Sequence, residues 1–352
     1  MPTKNRIDVV KNYYGEVLKG TQDLKTSACC TDEAMAPKLR SLASDLVEEV
    51  VARFYGCGSP IPPALEGKTV LDLGCGTGRD TFLVSKLVGE NGNVIGVDMT
   101  KEQLDVARNA EAEQMRRWGF AKSNVRFAEG TIENLAALDV ADESVDVVIS
   151  NCVINLSADK EKVFKEVFRV LKPGGEIYFS DVFADRRLDA SLEKDDELIG
   201  ECLGGAMYGQ DYRRMVQNLG CLDPRVVTSR VLTLDDKRIE ALCAGITFTS
   251  ETVRAFKIAS LEDQCEDFGQ VATYLGNLDG GKLFVLDDHH IFEAHRPMLV
   301  CGNTAAMLQE TRFASYFKVD GDRSRHFGLF DCSTAVSTSS STDEGASSTS
   351  CC

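Results

Sequence analysis

Residues 67–181 alternate between short apolar runs and amphipathic stretches, and this alternation constrains the fold more than any other feature of the sequence. Strand and helix in such alternation are typical of a parallel sheet with helices packed on its faces. The sequence therefore predicts an α/β fold. The predicted strands are VLDLG (70–74), NVIGVD (93–98), NVRFAEG (124–130), VDVVIS (145–150) and EIYFSD (176–181).

The glycine-rich stretch VLDLGCGTGRD (70–80) contains the first of these strands and leads into a predicted helix. Gly74, Gly76 and Gly78 allow the backbone to turn sharply and to approach a ligand closely, and the helix N-terminus favours negative charge. Asp98 ends the second strand, where a carboxylate can accept hydrogen bonds from both hydroxyls of a ribose. Together these features predict a nucleotide-type site beyond the ends of the strands.

The G-x-G-x-G spacing resembles that of the class I methyltransferases, which bind S-adenosylmethionine (SAM), and LKPGGEIYFSD (171–181) resembles the turn into their fifth strand. The resemblance implies a Rossmann-like sheet with SAM as co-substrate. It also implies a cofactor site built from residues that follow the first four strands. The predicted cofactor-binding residues are Asp72, Gly74, Gly76, Gly78, Asp98, Met99, Ile132, Glu133 and Asn151.

Charge and composition exclude several classes of partner. The chain has 352 residues and a formal net charge of -16, so nucleic acid and anionic membranes would be repelled. The N-terminus lacks an apolar signal region, and no apolar run reaches the length of a membrane span. We therefore expect a cytoplasmic protein, and a monomer is compatible with the sequence. Its 13 cysteines are then expected to be reduced. The sequence contains no C-x-x-C pair, the spacing that would indicate a zinc site.

One cysteine lies in SNCVINLS (150–157), directly after the fourth predicted strand, where substrates meet the cofactor in class I methyltransferases. A cysteine at that place favours a soft, thiophilic acceptor over a catechol or a nucleic acid. Three more segments, GECLGGA (200–206), YGCG (55–58) and DLKTSAC (23–29), also carry cysteines. In order and interval, the four segments resemble the motifs of the arsenite methyltransferases. The resemblance covers about residues 5–310.

The resemblance implies a role for each of these cysteines. Cys57, Cys152 and Cys202 would bind trivalent arsenic, and Cys29 would form a disulfide with Cys57 when the arsenic is transferred or re-reduced. Cys30 follows Cys29 directly and leaves open which of the two is the redox partner.

Aromatic residues of the N-terminal region also match the family. Tyr55 corresponds to a tyrosine that faces the sulfonium of SAM, where its ring could stabilise the cation, and packing in the core is the alternative. Tyr13 and Tyr14 resemble part of the family's cap over SAM, with core packing again the alternative.

The function that these features predict is SAM-dependent methylation of arsenite to mono-, di- and trimethylated products, with glutathione or thioredoxin as the thiol reductant. Two alternatives remain at this stage. The first is a methyltransferase that acts on another small molecule, such as a sterol or quinone. The second is a thiol-rich arsenic-binding protein without activity. The assays described below distinguish the three.

The regions on either side of the predicted sheet complete the expected organisation. Apolar residues in the N-terminal region recur with helical spacing, whereas the last twenty residues are rich in serine and threonine. The predicted units are an N-terminal helical cap over the substrate and SAM (1–66), a SAM- and arsenic-binding domain (67–259), a small C-terminal α+β domain (260–332) and a disordered tail (333–352).

Overall fold

The structure, a computed structural model, describes most of the chain from residue 37 onward. Its described residues are Arg6, Val10, Tyr13, Met35, 37–52, Phe54, Gly56 and 58–331. The predicted tail (333–352) and the predicted site residues Cys29, Tyr55 and Cys57 lie outside this set, as do Cys30 and Tyr14. Within the described part of the chain, no helix is both long and apolar enough to cross a bilayer.

An eight-stranded sheet forms the centre of the molecule, with strand order β3-β2-β1-β4-β5-β8-β7 and β6 paired beside β5. The first five strands are parallel, and β8 pairs antiparallel with both β5 and β7. All five predicted strands are confirmed. The strands are β1 Thr69–Leu73, β2 Asn93–Asp98, β3 Val125–Glu129, β4 Val145–Asn151, β5 Leu171–Ala184, β6 Met207–Tyr208, β7 Arg225–Val231 and β8 Phe248–Phe256.

Strand order reverses direction between β1 and β4, because the chain passes from β1 through β2 and β3 before it returns to the other side of β1. Helices on either side of this point diverge and leave a crevice at the carboxyl ends of the two strands. The glycine loop follows β1, and the segment SNCVINLS spans the end of β4. Both predicted motifs therefore reach the same crevice.

Helices connect the strands and cover the sheet. They are α1 Pro37–Ala43, α2 Glu48–Ala52, α3 Arg79–Val88, α4 Lys101–Trp118, α5 Lys160–Val170, α6 Asp196–Gly200, α7 Gly209–Asn218, α8 Lys237–Leu242 and α9 Gly302–Gln309, with 3-10 turns at Leu135–Leu138, Ile154–Leu156 and Ala314–Tyr316. The helical pattern of residues 39–50 is interrupted after α1. There the Val47 N–H donates to the Gln114 side chain, at 2.8 Å, and does not continue the helix.

The end of α5 shows how local sequence sets the path of the chain. Val163, Phe164 and Val167 bury one face of the helix. The segment Pro173-Gly174-Gly175 then turns the chain within β5. Gly174 has φ +76°, and a β-carbon there would lie 2.3 Å from the Glu310 carbonyl oxygen, so only glycine fits. This contact brings the C-terminal region against the sheet.

Residues 260–331 form small antiparallel sheets around α9. Their strands are β9 Glu266–Asp267, β10 Gln270–Tyr274, β11 Leu283–Val285, β12 Ile291–Glu293, β13 Pro297–Val300, β14 Phe317–Asp320 and β15 Gly328–Leu329. Phe284 and Phe313 of this region share one apolar core with Phe256 of β8, and the rings of Phe256 and Phe313 meet edge to face at 6.2 Å. The division of the chain into domains stays a prediction.

Candidate active site

A cleft opens at the carboxyl ends of β1, β2 and β4, where the strand order reverses. It has about 1050 Å³ of space, including its open mouth. Of the nine predicted cofactor-binding residues, eight line it: Asp72, Gly74, Gly76, Asp98, Met99, Ile132, Glu133 and Asn151. The ninth, Gly78, is the residue before α3, and a β-carbon there would face the rings of Phe82 and Phe127. Gly78 thus lies where the loop packs against α3 and β3.

The glycine loop forms the floor of this cleft. Gly74 has φ +69°, and a β-carbon at this position would lie 2.4 Å from the Val153 side chain, which follows β4. Gly76 has φ +53°, and the space around its missing side chain is open to 4 Å. The loop therefore packs tightly against the chain after β4 and leaves its other side accessible to a ligand.

Asp98 is held in a fixed orientation at the end of β2. Its carboxylate accepts hydrogen bonds from the backbone N–H of Gly76, at 2.9 Å, and of Thr100, at 2.8 Å. Burial raises the pKa of this carboxyl above its usual value, and the hydrogen bonds from Thr100 and Gly76 oppose that shift. Each carboxylate oxygen has a second lone pair, which suits the two hydroxyls of a ribose.

Two further carboxylates flank the glycine loop in the sequence and line the same cleft. Asp72 is buried and accepts a hydrogen bond of 2.6 Å from the Thr81 hydroxyl, and Asp80 accepts one of 2.8 Å from the Asn151 amide. Burial, with the charge of Asp80 second, raises the pKa of Asp72 to about 8. An acidic cleft with a carboxylate suited to ribose hydroxyls fits SAM, since the methionine part of SAM carries a sulfonium and an ammonium.

Cys152 and Cys202 come together beside this cleft although 50 residues separate them in the chain. Their sulfur atoms and a carboxylate oxygen of Asp181 all lie within 4.8 Å of one another, and the three residues are buried. Cys202 is a reduced thiol that donates to the Cys152 carbonyl oxygen at 3.3 Å. Cys152 is disulfide-bonded, as is Cys265, so the expectation that all 13 cysteines are reduced is wrong. Once reduced, the pair is close enough for both sulfurs to ligate one soft atom.

Asn151 and Cys152 are positioned by strand pairing. The Cys152 N–H donates to the Ser180 carbonyl of the neighbouring β5, at 2.8 Å. The Asn151 amide donates to the Gly58 carbonyl at 3.0 Å and accepts from the Gly58 N–H at 3.2 Å. A β-carbon at Gly56 would lie 2.5 Å from the Asn151 side chain. Both glycines that flank position 57 therefore lie against the end of β4.

Known proteins share this arrangement. A family model described as "Methyltransferase domain" matches residues 64–220. An arsenite methyltransferase of Aquipseudomonas alcaligenes is 51% identical over 92% of this chain and 93% of its own length. The chain belongs to the arsenite methyltransferase family. The Mus musculus arsenite methyltransferase is 42% identical over 88% of this chain and 82% of its own length.

The fold of the family is confirmed by a solved structure. The arsenic(III) S-adenosylmethionine methyltransferase of Chlamydomonas reinhardtii is 46% identical, with a TM-score of 0.82, and the match covers 85% of this chain and all of that one. The predicted class I methyltransferase fold and the predicted family are therefore both confirmed, and the chain is a SAM-dependent methyltransferase.

Asp181 lies beside Cys152 and Cys202 and was not predicted from the sequence. Its carboxylate accepts hydrogen bonds from the N–H groups of Val182, at 2.9 Å, and Asn155, at 3.0 Å. Burial raises its pKa to about 7, against the lowering effect of these bonds and of the charge of Lys160. The available signal was its place in YFSD on β5, beside the strand that leads to Cys152.

The raised pKa of Asp72 predicts a pH dependence of cofactor binding. The charged carboxylate attracts a cationic ligand and the neutral acid does not, so SAM binding favours the deprotonated form. We expect SAM affinity to increase as the pH is raised from about 6 to about 8, with proton release on binding. Isothermal titration calorimetry in buffers of different ionisation enthalpy measures both.

Asp72→Asn is the matched variant for this measurement. It keeps the shape of the side chain and is expected to remove the dependence on pH between about 6 and about 8. A slope that persists in this variant would assign the titration to another group.

Proposed function

We propose that this chain transfers the methyl group of SAM to trivalent arsenic held by the thiolates of Cys57, Cys152 and Cys202. The observation that carries the proposal is the meeting of Cys152 and Cys202 beside the cleft, with sulfurs no more than 4.8 Å apart. Further support comes from Gly56 and Gly58, the two neighbours of Cys57 in the sequence. Both lie against Asn151, the residue before Cys152. The substrate names of the matched relatives agree with it.

Each group at the site then has a defined task. The cofactor supplies an electrophilic methyl on a sulfonium. Three thiolates hold trivalent arsenic as a pyramid whose lone pair points away from the sulfurs and is free to accept that methyl. The protein's contribution is positioning, which alone lowers such barriers by about 7–11 kcal/mol. No general base is needed, because thiolate-bound arsenic has no proton to lose.

The cysteines also account for the redox balance. Methyl transfer formally oxidises trivalent arsenic to the pentavalent state, and oxidation of two protein thiols to a disulfide returns it to the trivalent state. We assign this disulfide to Cys29 and Cys57, with Cys30 as the alternative to Cys29. Glutathione or thioredoxin then reduces the protein disulfide, and two reductant thiols become a disulfide in turn.

The need for thiolate ligands also bears on the cellular compartment and on the form in which the substrate arrives. Thiolate ligands require a reducing compartment, which supports a cytoplasmic location. The acceptor arrives as a thiol-bound trivalent species, and successive rounds produce mono-, di- and trimethylated arsenicals. We propose that the enzyme acts as a monomer.

A product assay tests the proposal against its two rivals. Purified protein is incubated with SAM, arsenite and a thiol reductant, and methylated arsenicals are separated by chromatography. We expect methylarsenicals and S-adenosylhomocysteine to appear together. A methyltransferase for another small molecule would consume no SAM in response to arsenite, and a non-enzymatic arsenic-binding protein would bind arsenite without forming either product.

Replacing Cys57 with serine is expected to separate the methylation steps. Arsenite needs three thiolates, whereas a methylated arsenic already has one ligand and needs only Cys152 and Cys202. The Cys57→Ser enzyme should therefore fail to methylate arsenite but still methylate monomethylarsenous acid. Chromatography of the products from each substrate measures this, and equal loss on both would contradict the division of roles.

A further inference from the structure

Cys152 and Cys202, called the thiol pair below, both have strained backbone conformations. Cys152 has φ +56° and Cys202 has φ +61°, in the left-handed region that non-glycine residues rarely occupy. Such a conformation is energetically unfavourable and persists only where surrounding contacts impose it. Contacts from outside the two loops that carry Cys152 and Cys202 must therefore hold the two sulfur atoms at their short separation.

Two described residues of the N-terminal segment, Arg6 and Tyr13, each make a polar contact to one of the loops. The Arg6 guanidinium donates from Nη2 to the Asn155 carbonyl oxygen, at 3.0 Å, three residues after Cys152. The Tyr13 hydroxyl donates to the Glu201 carboxylate, at 2.7 Å, one residue before Cys202. Hydrogen bonds that involve a charged group are stronger than those between neutral groups, so both contacts can oppose the backbone strain.

The spacing of these residues places them on one face of the segment. Arg6 and Val10 are helical, and side chains four and three residues apart lie along the same side of a helix. Val10, between Arg6 and Tyr13, is buried against Ile199 and Leu156, which also belong to the two cysteine loops. A single face of the segment thus reaches both loops.

Two glycines beside Cys202 show how closely this face approaches. A β-carbon at Gly200 would lie 2.6 Å from the Tyr13 ring. At Gly205 it would lie 2.5 Å from Nη2 of Arg6 and 1.9 Å from the Asn155 carbonyl oxygen. The chain before and after Cys202 therefore lacks side chains at the points where the N-terminal residues and the Cys152 loop meet it.

We propose that Arg6 and Tyr13 are positioning residues that hold Cys152 and Cys202 at the separation needed to bind one arsenic atom. Neither residue touches the arsenic, and both act through the loops that carry the thiols. This inference rests on the proposed function. Without the two contacts, the loops relax toward unstrained conformations, the sulfurs move apart, and binding that needs both thiolates at once becomes weaker.

The probe for this proposal is phenylarsine oxide, a trivalent arsenical that takes two thiolates and so reports on the pair. Reduced full-length protein is titrated as wild type, Arg6→Met and Tyr13→Phe. We expect each substitution to raise the Kd of the probe about 10-fold, equivalent to about 1.4 kcal/mol. Arg6→Lys, which keeps a donor and the charge, should recover part of the loss.

If Arg6 and Tyr13 only stabilised the fold, their replacement would weaken arsenite binding and cofactor binding alike. Two measurements therefore distinguish a positioning role from a purely structural one. The KM for arsenite should rise in both variants, while the Kd for S-adenosylhomocysteine stays within about twofold of the wild-type value. Arg323→Met is the matched control, because Arg323 donates to the Ser260 carbonyl, at 2.7 Å, in the C-terminal region. That variant should bind the probe as the wild type does.

The outcomes are distinguishable. Wild-type protein that binds the probe, with both variants within about twofold of it, would overturn the positioning role and leave the proposed function intact. Wild-type protein that does not bind the probe would contradict the proposed function and remove this inference with it. Should Arg6→Met fail to fold, Tyr13→Phe decides, because it removes one oxygen atom only.

Discussion

Serine in place of Cys202 is expected to lower the rate of arsenic methylation at least about 1000-fold, a barrier increase of about 4 kcal/mol. The hydroxyl is a hard, weakly acidic group and does not replace a thiolate toward trivalent arsenic. Cys152 would then lack its partner, and the arsenic would no longer be held in front of the cofactor. Formation of methylarsenicals and of S-adenosylhomocysteine measures the loss for arsenite and for its monomethylated product.

Two comparisons show whether this loss is specific. The affinity for S-adenosylhomocysteine should be unchanged, since Cys202 does not line the cofactor cleft. Cys243→Ser is the matched control, because Cys243 is also a buried thiol of the apolar cluster around Cys202 and has no place in the proposed chemistry. Retention of more than about a tenth of wild-type activity by Cys202→Ser would contradict the thiolate site.

Alanine at Gly205 is expected to reduce arsenite methylation about 100-fold, because displacing reacting groups by about 1 Å can have an effect of that size. The new β-carbon would lie 1.9 Å from the Asn155 carbonyl oxygen, and this backbone atom can move away only with the loop that follows Cys152. The two sulfurs would then separate. Initial rates at saturating SAM, together with the Kd for phenylarsine oxide, measure the effect.

Gly209→Ala provides the control for this substitution. Gly209 begins α7, and a β-carbon there would meet no atom within 4 Å. Its replacement by alanine should leave arsenical binding unchanged, and the better helix former should leave stability equal or slightly higher. If Gly205→Ala also bound phenylarsine oxide with wild-type affinity, the close approach of the two loops would not matter for the thiol pair.

The fold could be predicted from the sequence to a large extent. The apolar runs of residues 67–181 predicted the five strands that the structure contains, and the segment that resembles the turn into the fifth strand lies at the start of β5. This worked because apolar periodicity and glycine or proline turns are local signals. The predicted domain boundary at residue 260 has no such signal, and Phe256 and Phe313 pack in one core across it.

The candidate site was predicted less evenly. Its cysteines could be identified through the family motifs, whereas only the place of Cys152 after the fourth predicted strand indicated a thiophilic acceptor without them. Asp181 was missed because it joins the thiols only through the pairing of β4 with β5. The contacts of Arg6 with Asn155 and of Tyr13 with Glu201 span 149 and 188 residues. No local pattern predicts contacts over such separations.

X-ray absorption at the arsenic edge, on reduced protein loaded with one equivalent of arsenite, counts the sulfur and oxygen neighbours of the bound arsenic. We expect an arsenic atom surrounded by three sulfurs and no oxygen, and one sulfur fewer when Cys202 is replaced by serine. Arsenic that retains oxygen neighbours in the wild type, or sulfur coordination that is unchanged in Cys202→Ser, would contradict the proposed arsenic site.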